Sequence, residues 1–363
     1  MTRSHLSAIL SLRGVLRLRA PQVRDGETSP ELAGQSNGQR RRAPPRAASA
    51  RFARAGDQKL SAAWMSILLA ASAAIVVLSA CLDAAQSATR FDGQKAFDHV
   101  RAMVALGPRP AGSAALAKTR DYIKKELSTL GITVEEQAFE ASTPAGLIKM
   151  VNLRTVIGGP PTAKRLIVAG HYDTKLFKNV KFVGANDGGS SAAFLIELAR
   201  AVVRAPLAMP IEVLFLDGEE AVRPEWEDPD NRYGSRFYVN AARKDGTLGT
   251  IQALVLVDMI GDRDLRIKRE SQSTAWLTDV IWGVAAGLGR PQFVNEEMPV
   301  IDDHLIFLEA GVPAVDLIDF EYPAWHTPDD TLDKVSAASL QVVGDVVLTS
   351  LRTIERRISE RGR

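Results

Sequence analysis

VLFLDGEEAV, residues 213–222, sets two glutamates directly after a run that reads as a buried strand. Residues 213–216 are β-branched, aliphatic or aromatic and carry no charge, as expected of a short core strand. Carboxylates are almost never fully buried without a partner. Glu219 and Glu220 therefore either stand in solvent at the sheet edge or do chemistry, the first moving a proton and the second holding a metal.

Other strand-like runs end in the same way. RLIVAG (165–170) runs into His171-Tyr172-Asp173, IQALVLVD (251–258) ends on Asp258, and PAVDLID (313–319) leads through a short loop to Trp325-His326-Thr327. Asp187 lies in GANDGGS (184–190), just before a helical pattern over residues 189–204. Further helices are expected over 91–106, 113–130, after Tyr233, near 271–289 and over 336–357, with strands at 132–139 and 147–157. This alternation predicts an α/β fold, a three-layer sandwich with a central mixed, largely parallel sheet and helices on both faces. In open α/β sheets ligands collect beyond the carboxyl ends of the strands. The His, Asp and Glu side chains at these ends are N and O donors, the set expected of a zinc site built without cysteine. Singly, each also reads as an N-cap, a turn residue or a surface acid; their convergence on one crevice is what favours a metal.

Composition bounds the rest. The chain has 363 residues, 46% hydrophobic and 24% charged, enough to bury a substantial core. Residues 1–59 hold eleven Arg and one Lys against four acids, a net of +8, which leaves −6 for the remainder of a chain whose formal charge is +2. No basic stripe remains outside that tail, so nucleic acid is excluded as a partner. The tail reads as a basic disordered segment or as the product of a start codon set too far upstream. Residues 60–82 carry no charge and are long enough to span a bilayer or to serve as an export signal. They close on Leu78-Ser79-Ala80-Cys81, which resembles a bacterial lipoprotein box, and Cys81 is the chain's one cysteine. The expected product is exported and membrane-anchored, as a periplasmic or cell-surface lipoprotein or through an uncleaved signal anchor. Residues 90–363 are expected to form one catalytic domain. A single cysteine excludes an intrachain disulfide.

HYDTK (171–175), GANDGG (184–189), FLDGEEA (215–221), VDMIG (257–261) and WHTPDD (325–330), in this order, resemble the zinc aminopeptidase family with co-catalytic metals. YGSRF (233–237), DDHLIFLEAGVP (302–313) and the Trp325-His326 pair are similar to its animal-type glutaminyl cyclase branch, and the resemblance spans roughly residues 91–357. It implies Zn2+ held by Asp187, Glu220 and His326, with Glu219 as general acid/base. It implies that His171, Asp187 and Asp258 would hold a second zinc in an aminopeptidase. In a cyclase one zinc is expected, with Asp258 and Asp302 as catalytic hydrogen-bonding partners. Trp226 and Trp325 would line the substrate pocket, although the loop bearing Trp226 is one residue longer here. The animal enzymes carry a disulfide beside the metal, and this chain has Gly170 there instead.

The implied substrate is the N-terminus of a peptide or protein. The implied reaction is conversion of N-terminal Gln to pyroglutamate with release of ammonia; the alternatives are di-zinc removal of N-terminal residues and an ectodomain without chemistry. Three protein ligands leave a coordination position open, as catalysis requires. Asp173 and His304 read as partners that orient the groups around the metal. His99, on a helical pattern, reads as a solvated helix residue, Tyr233 as packing or pocket, and Trp276 and Trp282 as core. GGSSA lacks the pattern of a phosphate loop or nucleophile elbow.

Overall fold

The runs at 165–170, 211–217, 251–258 and 313–319 lie side by side as adjacent strands in the computed structural model, which describes residues 90–361. Helices α1 (Gly93–Val104) and α2 (Ala114–Ser128) come first, followed by a hairpin of β1 (Glu135–Thr143) and β2 (Gly146–Ile157). Then follow β3 (Arg165–His171), α3 (Gly189–Arg204), β4 (Ile211–Leu216), α4 (Tyr233–Lys244), β5 (Ile251–Asp258), β6 (Ile267–Glu270), α5 (Ala275–Gly287), β7 (Phe293–Met298), α6 (His304–Glu309), β8 (Ala314–Ile318) and α7 (Ala337–Arg361). The sheet order is β1-β2-β4-β3-β5-β8. The hairpin is antiparallel to β4, and β4, β3, β5 and β8 run parallel. The sheet is thus mixed, with its parallel part under the site.

Alternation along the strands builds two apolar layers, because successive side chains point to opposite faces. Val168, Phe215, Val255 and Leu317 join one cluster with residues of α1, α3, α5 and α7. Ile167, Leu214, Leu256 and Ala314 join the other with Tyr238 and Val239 of α4 and Phe307 of α6. Both faces are covered, which completes the three-layer sandwich.

Helix α3 decides where the site forms. Its residues from Gly189 to Val202 are all buried, so it is enclosed by protein rather than laid on the surface. It can approach β3 closely because Gly170 has no side chain: a Cβ there would lie 2.7 Å from Ser191 Cβ and 2.8 Å from the Val257 carbonyl oxygen. Gly188, with φ 75°, turns the chain into the helix where a Cβ would strike the Asp173 carbonyl oxygen. Asp187 is thereby delivered to the carboxyl end of β3.

The two-stranded parallel sheet of β6 and β7 was not anticipated. IKRE is short and charged and FVNEEM is charged and largely exposed, so neither shows the apolar signal of a strand, and their pairing supplies the order. The tail at 1–59, the segment at 60–82 and Cys81 lie outside the described residues. Among the described residues no helix is long and apolar enough to cross a membrane.

Candidate active site

β3 and β5 end on His171 and Asp258, the turn after β4 carries Glu219 and Glu220, and the loop after β8 carries His326. His326 and Met259, the residue after Asp258, adopt left-handed backbone with φ 53° and 45°. Non-glycine residues hold this conformation only where their surroundings over-determine it, and such positions gather at functional sites.

The side chains converge. His326 Nε2 lies 3.2 Å from Glu220 Oε1 and 3.4 Å from Asp187 Oδ2; His171 Nε2 lies 3.0 Å from Asp258 Oδ1 and 3.3 Å from Asp187 Oδ1. Two sets of donor atoms, Asp187–Glu220–His326 and His171–Asp187–Asp258, each fall within 4.8 Å of one another, and Asp187 belongs to both. Asp187 Oδ2 and Glu220 Oε2 are buried without a hydrogen-bond donor. Buried carboxylate oxygens of this kind are costly unless a cation meets them. Asp187, Glu219, Glu220, Asp258 and Asp302 are each at most 8% exposed, so the site gathers far more negative than positive charge. Imidazole and carboxylate donors with an excess of buried negative charge fit a divalent metal such as zinc.

These groups and two tryptophans wall a cavity of about 280 Å³. Asp187, Glu219, Glu220, Asp258 and Asp302 give its lining the acids, and Met259, Val300, Ile318 and Phe320 give it apolar surface. Trp325 stacks on the His326 ring at 4.2 Å and 24°. Trp226 also lines the cavity, so the longer loop still delivers it there, and its indole N–H is buried without an acceptor.

Burial sets the protonation pattern. Glu219 is pushed well above the usual carboxylate range by burial and by Glu220, Asp302 and Asp303, with His171 opposing. Burial, Asp258 and Asp303 raise Asp302 in the same way. Burial would also raise Asp187, but the adjacent His171 and His326 rings hold it below its usual range. A raised Glu219 beside an ionised Asp187 gives one group that can carry a proton and one that can hold a cation.

Other candidate residues find different places. Asp173 Oδ1 lies 3.5 Å from His171 Nδ1, beside the ring it was expected to orient, and also accepts the Glu219 backbone N–H at 3.3 Å. His304 is fully buried outside the cavity wall, with Nε2 3.0 Å from Glu270 and Nδ1 3.6 Å from Asp316. Tyr233 packs, its hydroxyl donating to Asp230. His99 departs from its expected solvation: it is half-buried, with Nδ1 2.6 Å from the Tyr122 hydroxyl, and burial lowers its pKa. Its helical periodicity reported the face of α1 but not the neighbouring α2 that covers it.

Two cations at the site escaped the sequence reading. Lys175, 3% exposed, donates to the carbonyls of Ala221 and Arg223 and lies 3.7 Å from Glu220 Oε2. It therefore ties the strand-end HYDTK segment to the loop that carries Trp226. Arg109, fully buried in GPRPAGS, donates to the Val183 and Gly184 carbonyls ahead of Asp187. A lone basic residue at a strand end or between two prolines was the available signal, but its partners are distant in sequence.

Fold and site define an α/β enzyme whose clustered imidazole and carboxylate donors suit a divalent metal. The sequence profile of Peptidase family M28 matches residues 152–351, and the chain belongs to that family. It is 33% identical to a glutaminyl-peptide cyclotransferase-like protein of Mus musculus, over 61% of this chain and 66% of that protein, so it spans about two thirds of that relative. It superposes on the crystal structure of an Acidobacteriales bacterium glutaminyl cyclase with a TM-score of 0.69 and 40% identity, covering 74% of this chain and 96% of that one. It also resembles a leucine aminopeptidase precursor of Bacteroides thetaiotaomicron, with a TM-score of 0.67, 26% identity and coverage of 72% and 97%.

Proposed function

We propose that this protein is a zinc-dependent glutaminyl-peptide cyclotransferase, closing the N-terminal Gln of peptides to pyroglutamate and releasing ammonia. The observation that carries it is the cavity of about 280 Å³ lined together by buried acids and by Trp226 and Trp325, a polar and flat aromatic lining suited to a planar side-chain amide. Relatives named as cyclases support the same reading.

Asp187, Glu220 and His326 would hold one zinc, whose contribution when bound is to polarise the substrate's amide carbonyl. Glu219 takes a proton from the attacking α-amine and returns it to the departing ammonia, the work of a carboxyl whose pKa is raised by burial and by neighbouring acids. Asp302 and Asp258 accept hydrogen bonds around the reacting amine. Trp325 covers the planar substrate, and the free Trp226 N–H is available to a substrate carbonyl. The nucleophile is tethered within the substrate, so cyclisation draws on high effective concentration rather than on a captured water.

The second reading is a di-zinc aminopeptidase, favoured by the His171–Asp187–Asp258 set. Metal analysis and two substrates decide. The cyclase reading expects one tightly bound zinc per chain, ammonia from Gln-initiated peptides and little cleavage of Leu-amides. Two zincs with release of N-terminal residues would establish the aminopeptidase instead.

The proposed location is outside the cytoplasm on a lipid anchor at Cys81, supported by the uncharged run at 60–82 and the Leu-Ser-Ala-Cys box. Cys81→Ser should abolish lipid labelling and free the enzyme from the membrane fraction. An unlabelled parent protein that stays in the membrane fraction would point to an uncleaved signal anchor.

A further inference from the structure

The second aspartate of WHTPDD, Asp330, lies four residues beyond His326 and takes no part in the chemistry described above. It is fully buried, and its contacts run to the loop of another metal-holding residue. Oδ1 accepts the Asn186 backbone N–H at 2.8 Å, Oδ2 accepts the Asp187 N–H at 3.1 Å, and the Asp330 carbonyl accepts the Ala185 N–H at 3.3 Å. Three successive amides of the GAND loop thus end on one residue. Oδ1 also accepts the hydroxyl of Tyr322, four residues before His326, at 2.8 Å. That contact closes the 322–330 loop around His326 and its left-handed backbone.

Asn186 extends the same linkage to the third loop. Its side-chain N–H donates to the Met259 carbonyl at 3.2 Å, and its Oδ1 accepts the Gly261 N–H at 2.7 Å, on either side of the turn that follows Asp258. Three loops of distant sequence, carrying Asp187, His326 and Asp258, are therefore bound to one another through Asp330 and Asn186. A carboxylate suits the central place, because it alone offers acceptors on both oxygens and has no N–H to oppose the converging donors.

We propose that Asp330 is a positioning residue that sets the spacing of Asp187 and His326, so that the metal site is assembled before metal arrives. The proposal rests on the reading of those two residues as metal ligands and is independent of which reaction follows. Groups behind the ligands of metal sites commonly govern affinity about 10- to 100-fold. Asp330→Asn keeps the shape and one acceptor oxygen but turns an amide N–H toward the Asp187 backbone N–H.

The test uses the full chain and two measurements that do not depend on turnover: zinc affinity by competition with a chromophoric chelator, and the visible absorption of the Co2+-loaded protein, which reports ligand geometry. Asp330→Asn is expected to weaken zinc by about 10-fold or more and to alter the cobalt spectrum, while circular dichroism stays that of the parent. An unchanged affinity and spectrum would overturn the proposal, even if the variant melts at a lower temperature, because that is a purely structural role. If Asp330→Asn does not fold, Tyr322→Phe removes one donor to Oδ1 and leaves all backbone contacts; a several-fold loss of zinc affinity is then expected, and parental affinity overturns the proposal. A parent chain that binds no zinc would remove the metal reading and this inference together, whereas a parent that binds zinc beside an indifferent variant removes this inference alone.

Discussion

Glu220 lies 3.2 Å from His326 Nε2, whereas Glu219, its neighbour, lies 3.7 Å from His171 Nδ1 and faces the charges of Glu220, Asp302 and Asp303. Backbone geometry separates the pair, and surroundings give them different work. Glu219→Gln should lower turnover by about 10²-fold or more, as expected for removal of a general acid/base, while zinc content measured on the same sample stays at the parental level. His326→Ala should show the converse, losing most of the metal from a domain that remains folded, since the apolar layers lie beneath the site.

Asp217, two residues earlier, shows how burial speaks at another pH. It has no exposed surface, and its carboxyl is pushed up to about 8 by burial and by Asp173, against the Val151 amide, Arg120 and Tyr172. Its folded-state value lies above the ordinary 3.8, so the unfolded chain releases this proton first. The stability linked to it is fully present below about pH 4 and is lost as the pH rises through about 8. Asp217→Asn removes this titration. Urea midpoints at pH 6 and pH 9 should draw closer together than in the parent, and an equally steep loss in the variant would contradict the assignment.

At the scale of elements, the strands are tied at the end away from the site by a buried ionic knot. Glu212 on β4 has no exposure; its Oε1 accepts Arg154 Nε of β2 at 2.7 Å, and its Oε2 accepts Arg165 Nε of β3 and the Tyr238 hydroxyl of α4. Removing one member of a buried pair strands the opposite charge and costs about 3–5 kcal/mol. Glu212→Gln should therefore lose about that much in denaturant unfolding, while metal stoichiometry is unchanged because the site lies beyond the other end of β4. The same scale explains β6 and β7. A short, charged strand without an apolar run is recognised only through the partner it pairs with.

At the scale of the molecule, the metal should act as a stabilising ligand as well as a catalytic group, because its ligands come from strand ends that meet only in the folded chain. Dialysis against a chelator should abolish turnover and lower the melting temperature, and added zinc should restore both. At zinc 100-fold above its dissociation constant the gain is about 2.7 kcal/mol. Full turnover in metal-free protein would end the catalytic account.

The chain's own letters determined the parallel strands, helix α3 from Gly189 to Arg204, and the placing of His171, Asp187, Glu220, Asp258 and His326 at or just beyond strand ends, while the two tryptophans of the cavity were implied only by the family resemblance. These were legible because periodicity and turn chemistry are local, and because a parallel sheet gathers the ends of its strands by topology alone. Tertiary structure alone decided that Arg109 and Lys175 are buried at the site, that His99 is covered by Tyr122, that His304 faces Glu270, and that Asp330 holds the GAND loop. In each case a polar side chain is defined by a partner 23 to 144 residues away. Hydrogen-bond partners of buried charges are chosen by packing, and packing between distant segments leaves no periodic trace in either of them.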